Sequence, residues 1–177
     1  MKEKIILRPW SLIDAPSLVS NANNKNISDN LKDSFPHPYS LENAVSFINL
    51  AISQKKEDAV FWAIDMNGEA IGCISGHLKK DVYKKNVEIG YWLGQRYWGK
   101  GIITDCIKEV THYFFSNFDI ERIFAVIYAS NTGSQKAIQK AGFIHEATLK
   151  RNVFKNNKLL DSYVYALLKE KFIENIQ

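Results

Sequence analysis

Residues 94–104 read Gly94-Gln-Arg-Tyr-Trp-Gly-Lys-Gly-Ile-Ile-Thr104. Three glycines, two cations and a helix start follow directly on the apolar run Val87–Leu93. Glycines let the backbone turn tightly and approach a ligand closely. The first turn of a helix leaves N–H groups without acceptors, and the helix dipole favours negative charge beside them. A segment of this kind is suited to hold a phosphate-bearing ligand.

Three phosphate-binding patterns compete for it. Gly94-x-x-x-x-Gly99-Lys100 follows the nucleotide P-loop until its last position, where Ser or Thr must hold Mg²⁺. That position is Gly101, which has no side-chain ligand to offer. The dinucleotide pattern G-x-G-x-x-G also fails, because Gly99-Lys-Gly101 is followed by Ile102, Ile103 and Thr104. The third pattern is Arg/Gln-x-x-Gly-x-Gly/Ala between a strand and a long helix. Arg96-Tyr-Trp-Gly99-Lys-Gly101 satisfies it in full.

The surrounding elements are legible from periodicity and turn residues. Ile5–Arg8 reads as a strand stopped by Pro9, and 13–22 as a helix with Pro16 in its first turn. Residues 23–33 are polar and ambiguous. Phe35-Pro-His-Pro-Tyr39 cannot be regular helix. Ser40 starts a helix that buries Ala44, Phe47, Ile48 and Ala51. Strands are expected over 60–66 and 69–78 around Asn67-Gly68, and over 87–93. A helix from about Lys100 to Asn117 carries Ile103, Cys106, Ile107, Val110 and Phe114 on one face. A strand over 122–129 leads to a short helix capped by Asn131 or Thr132 and ended by Gly142. Residues 143–154 and 159–168 form two strands around Asn156-Asn157. The expectation is about seven strands and about four helices in mixed α/β (α+β) order, in a single domain over residues 1–177.

Composition narrows the class. With 46% hydrophobic and 24% charged residues the chain can build a core and is not disordered. A net charge of +4 suits an anionic ligand without implying nucleic acid. The pairs Lys79-Lys80 and Lys84-Lys85 lack interleaved aromatic recognition residues and read as a solvated turn, so no direct nucleic-acid contact is expected. Cys73 and Cys106 both sit in apolar segments and read as buried free thiols. There is no C-x-x-C and no His/Cys spacing for zinc, so no metal is expected. No apolar run approaches the ~18 residues of a membrane span. The start, Met1 to Pro9, does not read as a signal peptide, which makes a cytoplasmic protein the default.

Arg96–Gly101 resembles the coenzyme A pyrophosphate loop of the GNAT (Gcn5-related) N-acetyltransferases. Val87-Glu-Ile-Gly-Tyr-Trp-Leu93 resembles the strand that precedes that loop. Asn131-Thr-Gly-Ser134-x-x-Ala137-x-x-Lys140-Ala-Gly142-Phe143 resembles the second signature of that superfamily. The likeness covers nearly the whole chain. Leu7-Arg8-Pro9 and Asp161–Leu168 are also similar to the RimJ/RimL-type branch, which acetylates ribosomal-protein N-termini.

The resemblance implies a mixed, mostly antiparallel GNAT sheet and acetyl-CoA as cosubstrate. It also implies direct attack by an amine with no acyl-enzyme. Backbone N–H groups of about Arg96–Ile103 would hold the pyrophosphate, with Gly99 and Gly101 keeping side chains away. Thr104 would add a hydroxyl, and Lys100, Lys136 or Lys140 a point charge, unless these lysines are only a solvated helix face. The strand near Trp92 and Leu93 would splay, bind pantetheine and present an N–H to the thioester oxygen. Asn131 would bond the cofactor or cap its helix. Ser134 would protonate the leaving thiolate, cap that helix or bond the cofactor. Glu88 would act as base, through water or by drawing the ammonium in, or else face solvent. Related ribosomal-protein enzymes carry an acid in the penultimate strand, where this chain reads Lys150-Arg-Asn-Val-Phe154.

The acceptor is expected to be a protein N-terminal α-amine. A small-molecule amine (polyamine, amino acid or aminoglycoside) and a non-catalytic acyl-CoA-binding module are the competing readings, and a homodimer is left open. Phe35, Pro36, His37 and Tyr39 fall in the acceptor-side segment or form a packed turn. His77 and His145 read as structural.

Overall fold

The computed structural model describes residues 4–174. Met1–Glu3, which open the N-terminal segment read above, lie outside them. Seven strands form one sheet in the order β1-β2-β3-β4-β5-β7-β6. They are β1 (Ile5–Arg8), β2 (Ala59–Met66), β3 (Glu69–Leu78), β4 (Asn86–Leu93), β5 (Arg122–Tyr128), β6 (Ile144–Lys155) and β7 (Lys158–Leu168). The helices are α1 (Ala15–Ala22), α2 (Lys25–Ser28), α3 (Leu41–Ser53), α4 (Ile102–Asn117), α5 (Thr132–Lys140) and α6 (Lys169–Glu174). None of the described helices is long and apolar enough to cross a membrane. The α/β class and its mostly antiparallel sheet are those expected.

The chain divides into two compact units, residues 1–75 with 91–103, and residues 76–90 with 104–177. In the first unit, β1 runs antiparallel to β2 from Ile5↔Met66 to Arg8↔Ala63. The β2–β3 hairpin turns at Asn67-Gly68, both at positive φ (56° and 87°), as a right-twisted two-residue loop requires. Leu18 and Ala22 of α1, Ala44 and Ile48 of α3, and Ala63, Ala70 and Cys73 of the strands form its core with Trp10 and Tyr39. The helix expected over 13–22 starts at Ala15, because Leu12–Asp14 forms a tighter 3₁₀ turn. That turn places Asp14 on Arg8 and on the Ser11 N–H (2.9 Å). Residues 25–28 of the ambiguous polar stretch form one helical turn capped by Asn24.

In the second unit, β7 pairs antiparallel with the whole of β5, from Arg122↔Leu168 to Tyr128↔Ser162. The β4–β5 pairing is parallel and its register covers only Asn86↔Arg122, Val87↔Ile123 and Glu88↔Phe124. The β6–β7 hairpin turns at Asn156 and Asn157, both at positive φ. Buried Cys106, Ile107, Val110 and Phe114 follow the helical period along α4. At the start of that helix Ile102, not Ile103, extends the buried stripe. The spacing 102, 106, 110, 114 keeps to one side, and residue 103 lies a hundred degrees round. The helix begins at Ile102 rather than near Lys100, since Gly101 at φ 81° cannot belong to it.

Gly76 sets how closely Phe114 approaches β3. A Cβ there would lie 2.1 and 2.3 Å from two ring carbons of the fully buried Phe114. Gly76→Ala is therefore expected to destabilise the protein by about 1–3 kcal/mol through overpacking. The urea midpoint reads this directly, and an unchanged midpoint would mean that the ring gives way freely.

Candidate active site

The glycine-rich segment of the first unit is built in three steps. Gly94 ends β4 and donates its N–H to Ile71 O (2.8 Å). A Cβ at Gly94 would stand 2.6 Å from Asn21 Oδ1, so glycine permits this close approach of α1. Gln95–Tyr97 then form a 3₁₀ turn, with Tyr97 N donating to Gly94 O (2.9 Å) and Trp98 N to Gln95 O (3.1 Å). Finally Gly99 and Gly101 adopt φ of 76° and 81°, and α4 begins.

Within the expected segment of about 96–103, the N–H groups of Tyr97 and Trp98 are consumed inside the turn. Among the described residues, none of the backbone hydrogen bonds of turns and loops uses the N–H of Gly99, Lys100 or Gly101. The next three, on Ile102, Ile103 and Thr104, have no acceptor within their own helix. A Cβ built at Gly99 or Gly101 meets nothing within 4 Å. Conformation therefore selects glycine at both sites, and the space above them is open. An arc of N–H donors at a helix N-terminus, with open space over two glycines, fits a diphosphate.

Side chains hold the segment in place. The Arg96 guanidinium pairs with Glu69 and lies 4.9 Å from the Tyr97 ring centroid. Tyr97 donates its hydroxyl to Glu69 Oε2 (3.3 Å). Burial first, and then the Glu69 charge, raise the Tyr97 phenol, which keeps it a donor. Trp98 Nε1 donates to Leu93 O (2.7 Å), folding the loop back on the end of its strand. Asn24 and Asn26 both donate to Gln95 Oε1 (2.7 and 3.2 Å). Lys100 is exposed, with Nζ 5.5 Å from the Tyr97 centroid.

Trp92 does not turn its ring to this loop. The ring packs on the core cluster of α1 and α3, 5.6 Å from Phe35, which in turn stacks on Tyr39 at 4.9 Å. The Trp92 carbonyl is approached so closely that a Cβ at Gly72 would stand 2.5 Å away. In the Phe35–Tyr39 segment Tyr39 is buried, Phe35 is half-buried, His37 is exposed and the His37–Pro38 bond is cis.

The other candidate residues lie in the second unit. Glu88 is half-buried rather than solvent-facing, and its carboxylate pairs with Lys79, whose Nζ lies 5.5 Å from the Phe124 ring centroid. Asn131 caps α5, accepting from Ser134 N (3.1 Å) through Oδ1. Ser134 stands inside the first turn, half-buried, and is not the cap. Gly142 at φ 97° closes α5, with Phe143 N bonded to Ile138 O and Gly142 N to Gln139 O. Thr104 donates its hydroxyl to Ala137 O (3.3 Å), which ties α4 to α5. Lys136 and Lys140 are exposed on α5. His145 stacks on Tyr163 and Tyr165 and reaches Thr148 (3.2 Å).

Four residues that shape these regions carried no local signal. Glu69, Lys79 and Trp98 act through partners distant in sequence or across a turn. Asp161 is the fourth. The stretch Lys150–Phe154 holds no acid, yet Asp161 on β7 accepts from Lys150 Nζ (2.9 Å) and Arg151 N (2.8 Å). The Arg151 N–H first, and Lys150 second, hold its carboxyl below the usual range. A bulge makes this possible, since four steps on β6 from Leu149 to Val153 oppose two on β7 from Ser162 to Leu160. Cys73 and Cys106 are buried and free, and burial pushes both thiols up to about 12. Neither is a thiolate nucleophile near neutrality. Among the described residues no group of three or more His, Cys, Asp or Glu could hold a metal ion.

Comparison with known proteins gives the family and the fold. The acetyltransferase (GNAT) domain matches residues 4–144. An uncharacterized N-acetyltransferase, YoaA, of Bacillus subtilis (strain 168) is 31% identical over 136 residues, 75% of this chain and 76% of the relative. The ribosomal-protein-serine acetyltransferase of Escherichia coli (strain K12) is 31% identical over 108 residues, 61% and 60% of the two chains. The microcin C7 self-immunity acetyltransferase MccE, solved with acetyl-CoA and AMP, superposes with a TM-score of 0.82 at 25% identity. That superposition covers 95% of this chain and 93% of the other. A fold shared from end to end, and a family match running through the glycine loop and the α5 signature, place the chain in the GNAT acetyltransferase family as an acetyl-CoA-dependent N-acetyltransferase.

Proposed function

We propose that the acceptor is the α-amine of a protein N-terminus, acetylated by direct attack on the thioester. The observation that carries this reading is the state of Glu88. The carboxylate that would serve as base is already engaged by the Lys79 ammonium. An acceptor needing little help from a base therefore suits the chain best. An α-amine with a pKa of about 7.7–8.0 is substantially neutral near pH 7.5, whereas a lysine amine at about 10.4 is neutral roughly one time in a thousand. The likeness to the ribosomal-protein-serine acetyltransferase supports the same class.

In this reading the N–H groups of Gly99–Thr104 hold the pyrophosphate, and Lys100 and Lys140 add charge at the surface. Arg96 shapes the loop rather than binding as a free cation. The backbone near Trp92 and Leu93 orients pantetheine, and the Leu93 N–H polarises the carbonyl oxygen. Acetyl-CoA supplies the acetyl group as an activated thioester. Asn131 fixes the start of α5, so that Ser134 can deliver a proton to the departing sulfur. Glu88, paired with Lys79, does not act as the base; the α-amine attacks in its neutral form and the tetrahedral nitrogen loses one proton to solvent. Buried thiols at Cys73 and Cys106 suit transfer without an acyl-enzyme. We further read the chain as one catalytic domain, because β3, β4 and α4 each contribute to both units and the family match runs through both.

The test is thiol release from acetyl-CoA across ribosomal-protein N-terminal peptides, polyamines, amino acids and aminoglycosides. Turnover with peptides, lost when their α-amine is blocked, is the expected result. Turnover confined to a small amine would refute the acceptor class. Acetyl-CoA binding without any turnover would identify a non-catalytic binder.

A further inference from the structure

We propose that Glu69 is a positioning residue for the cofactor loop; the inference rests on the reading that residues 96–104 hold the pyrophosphate. Glu69 opens β3, directly after the Asn67-Gly68 turn, and lies 27 residues from Arg96 in sequence. Its carboxylate gathers donors from two elements. Oε1 accepts from Asn21 Nδ2 of α1 (3.0 Å) and pairs with the Arg96 guanidinium. Oε2 accepts from the Tyr97 hydroxyl (3.3 Å). Asn21 is itself only 5% exposed and is pinned through Ser17 O (2.9 Å) and Ala70 O (3.2 Å). The chain of contacts thus runs from the buried face of α1, through one carboxylate, to Arg96 and Tyr97 of the 3₁₀ turn that precedes Gly99.

An exposed ion pair by itself contributes little to stability. Here its consequence is local order. With Arg96 and Tyr97 anchored, the turn is formed before the ligand arrives, and the cost of ordering the N–H arc is not charged against binding. Charge works in the opposite direction, because a carboxylate near a diphosphate repels it and its removal would favour binding. Salt separates the two effects, since screening shortens the reach of charge to about 4–5 Å at 0.5 M and leaves loop order untouched.

Glu69→Gln is expected to weaken acetyl-CoA binding, read by calorimetry, by about five- to tenfold. The loss should persist or grow at 0.5 M salt, and kcat with a working acceptor should stay within about twofold while KM for acetyl-CoA rises. Tyr97→Phe keeps the buried ring and removes one donor, and should weaken binding by about two- to fourfold. Unchanged or tighter binding in Glu69→Gln, with thermal unfolding as in the parent, overturns the inference. A parallel Gly101→Glu protein separates the two readings. If it loses acetyl-CoA and Glu69→Gln does not, the positioning role alone is wrong. If Gly101→Glu binds as the parent does, the loop assignment falls and the role of Glu69 with it.

Discussion

Gly101→Glu is expected to weaken acetyl-CoA binding by about a hundredfold or more while the fold persists, a loss of at least about 2.7 kcal/mol. Two effects add. Gly101 holds φ at 81°, a conformation that costs a residue with a side chain about 1–2 kcal/mol. The new carboxylate also stands where the first N–H groups of α4 converge, against the charge of the diphosphate. The first carbon of the new side chain clashes with nothing, because a Cβ at this position meets no atom within 4 Å. Gly101→Ala isolates the conformational part and should cost only about tenfold, in line with the strain alone. Calorimetric titration of both variants checks the pair. Equal losses would mean that backbone shape and not charge governs the site, and wild-type affinity in Gly101→Glu would remove the loop from the binding surface.

The second large effect concerns stability. Asp14 is 3% exposed and Asp65 4%, and both share the guanidinium of Arg8. Arg8 Nη1 and Nη2 donate to the two oxygens of Asp14 (2.8 and 2.7 Å), and Nε donates to Asp65 (2.8 Å). Burial alone would raise the Asp14 carboxyl, but the Arg8 hydrogen bonds and the Ser11 N–H outweigh it and hold the pKa below the ordinary value. Asp14→Asn should therefore cost about 3 kcal/mol, the low end for removing one partner of a buried pair, since Arg8 keeps Asp65. For a chain of this size that is a fall in Tm of about 6–12 °C.

The sign of the pH dependence follows from the depressed pKa. The contribution of Asp14 is complete above the unfolded value of about 3.9 and is lost as pH falls through the lower folded value. The gap between parent and variant should be constant from pH 5 to 7 and close below about pH 4. A gap that widened in acid would contradict the assignment. Urea unfolding at each pH measures it.

Much of this architecture was readable from residue order alone. The strands, the Asn-Gly and Asn-Asn turns, the Ser40 cap and the close of α5 at Gly142 all rest on interactions within a few residues. Propensity and periodicity report such interactions directly. The loop at 96–101 was readable for the same reason, because glycines at positive φ and a helix start are local features. Boundaries moved where a local rule met a distant partner. The helix expected from residue 13 begins at Ala15 because Asp14 turns to Arg8 and the first turn tightens.

What only the tertiary structure decided is which charges meet. Glu69 lies far from Arg96 in sequence, Lys79 from Glu88 across a turn, and Asp161 from Lys150 across a hairpin. No period in the chain announces these pairs. Strand register sets them, and register is fixed by burial of apolar faces that the paired residues do not belong to. Glu88 shows the consequence. As a sequence position it is a carboxylate on a strand, free to be a base or a solvated side chain. In the fold it is the partner of Lys79, and the chemistry asked of the acceptor amine changes accordingly. The sequence by itself therefore determined the fold, the glycine turn before α4 and the class of reaction, through local geometry. The distribution of charge around the reacting groups was decided by long-range packing.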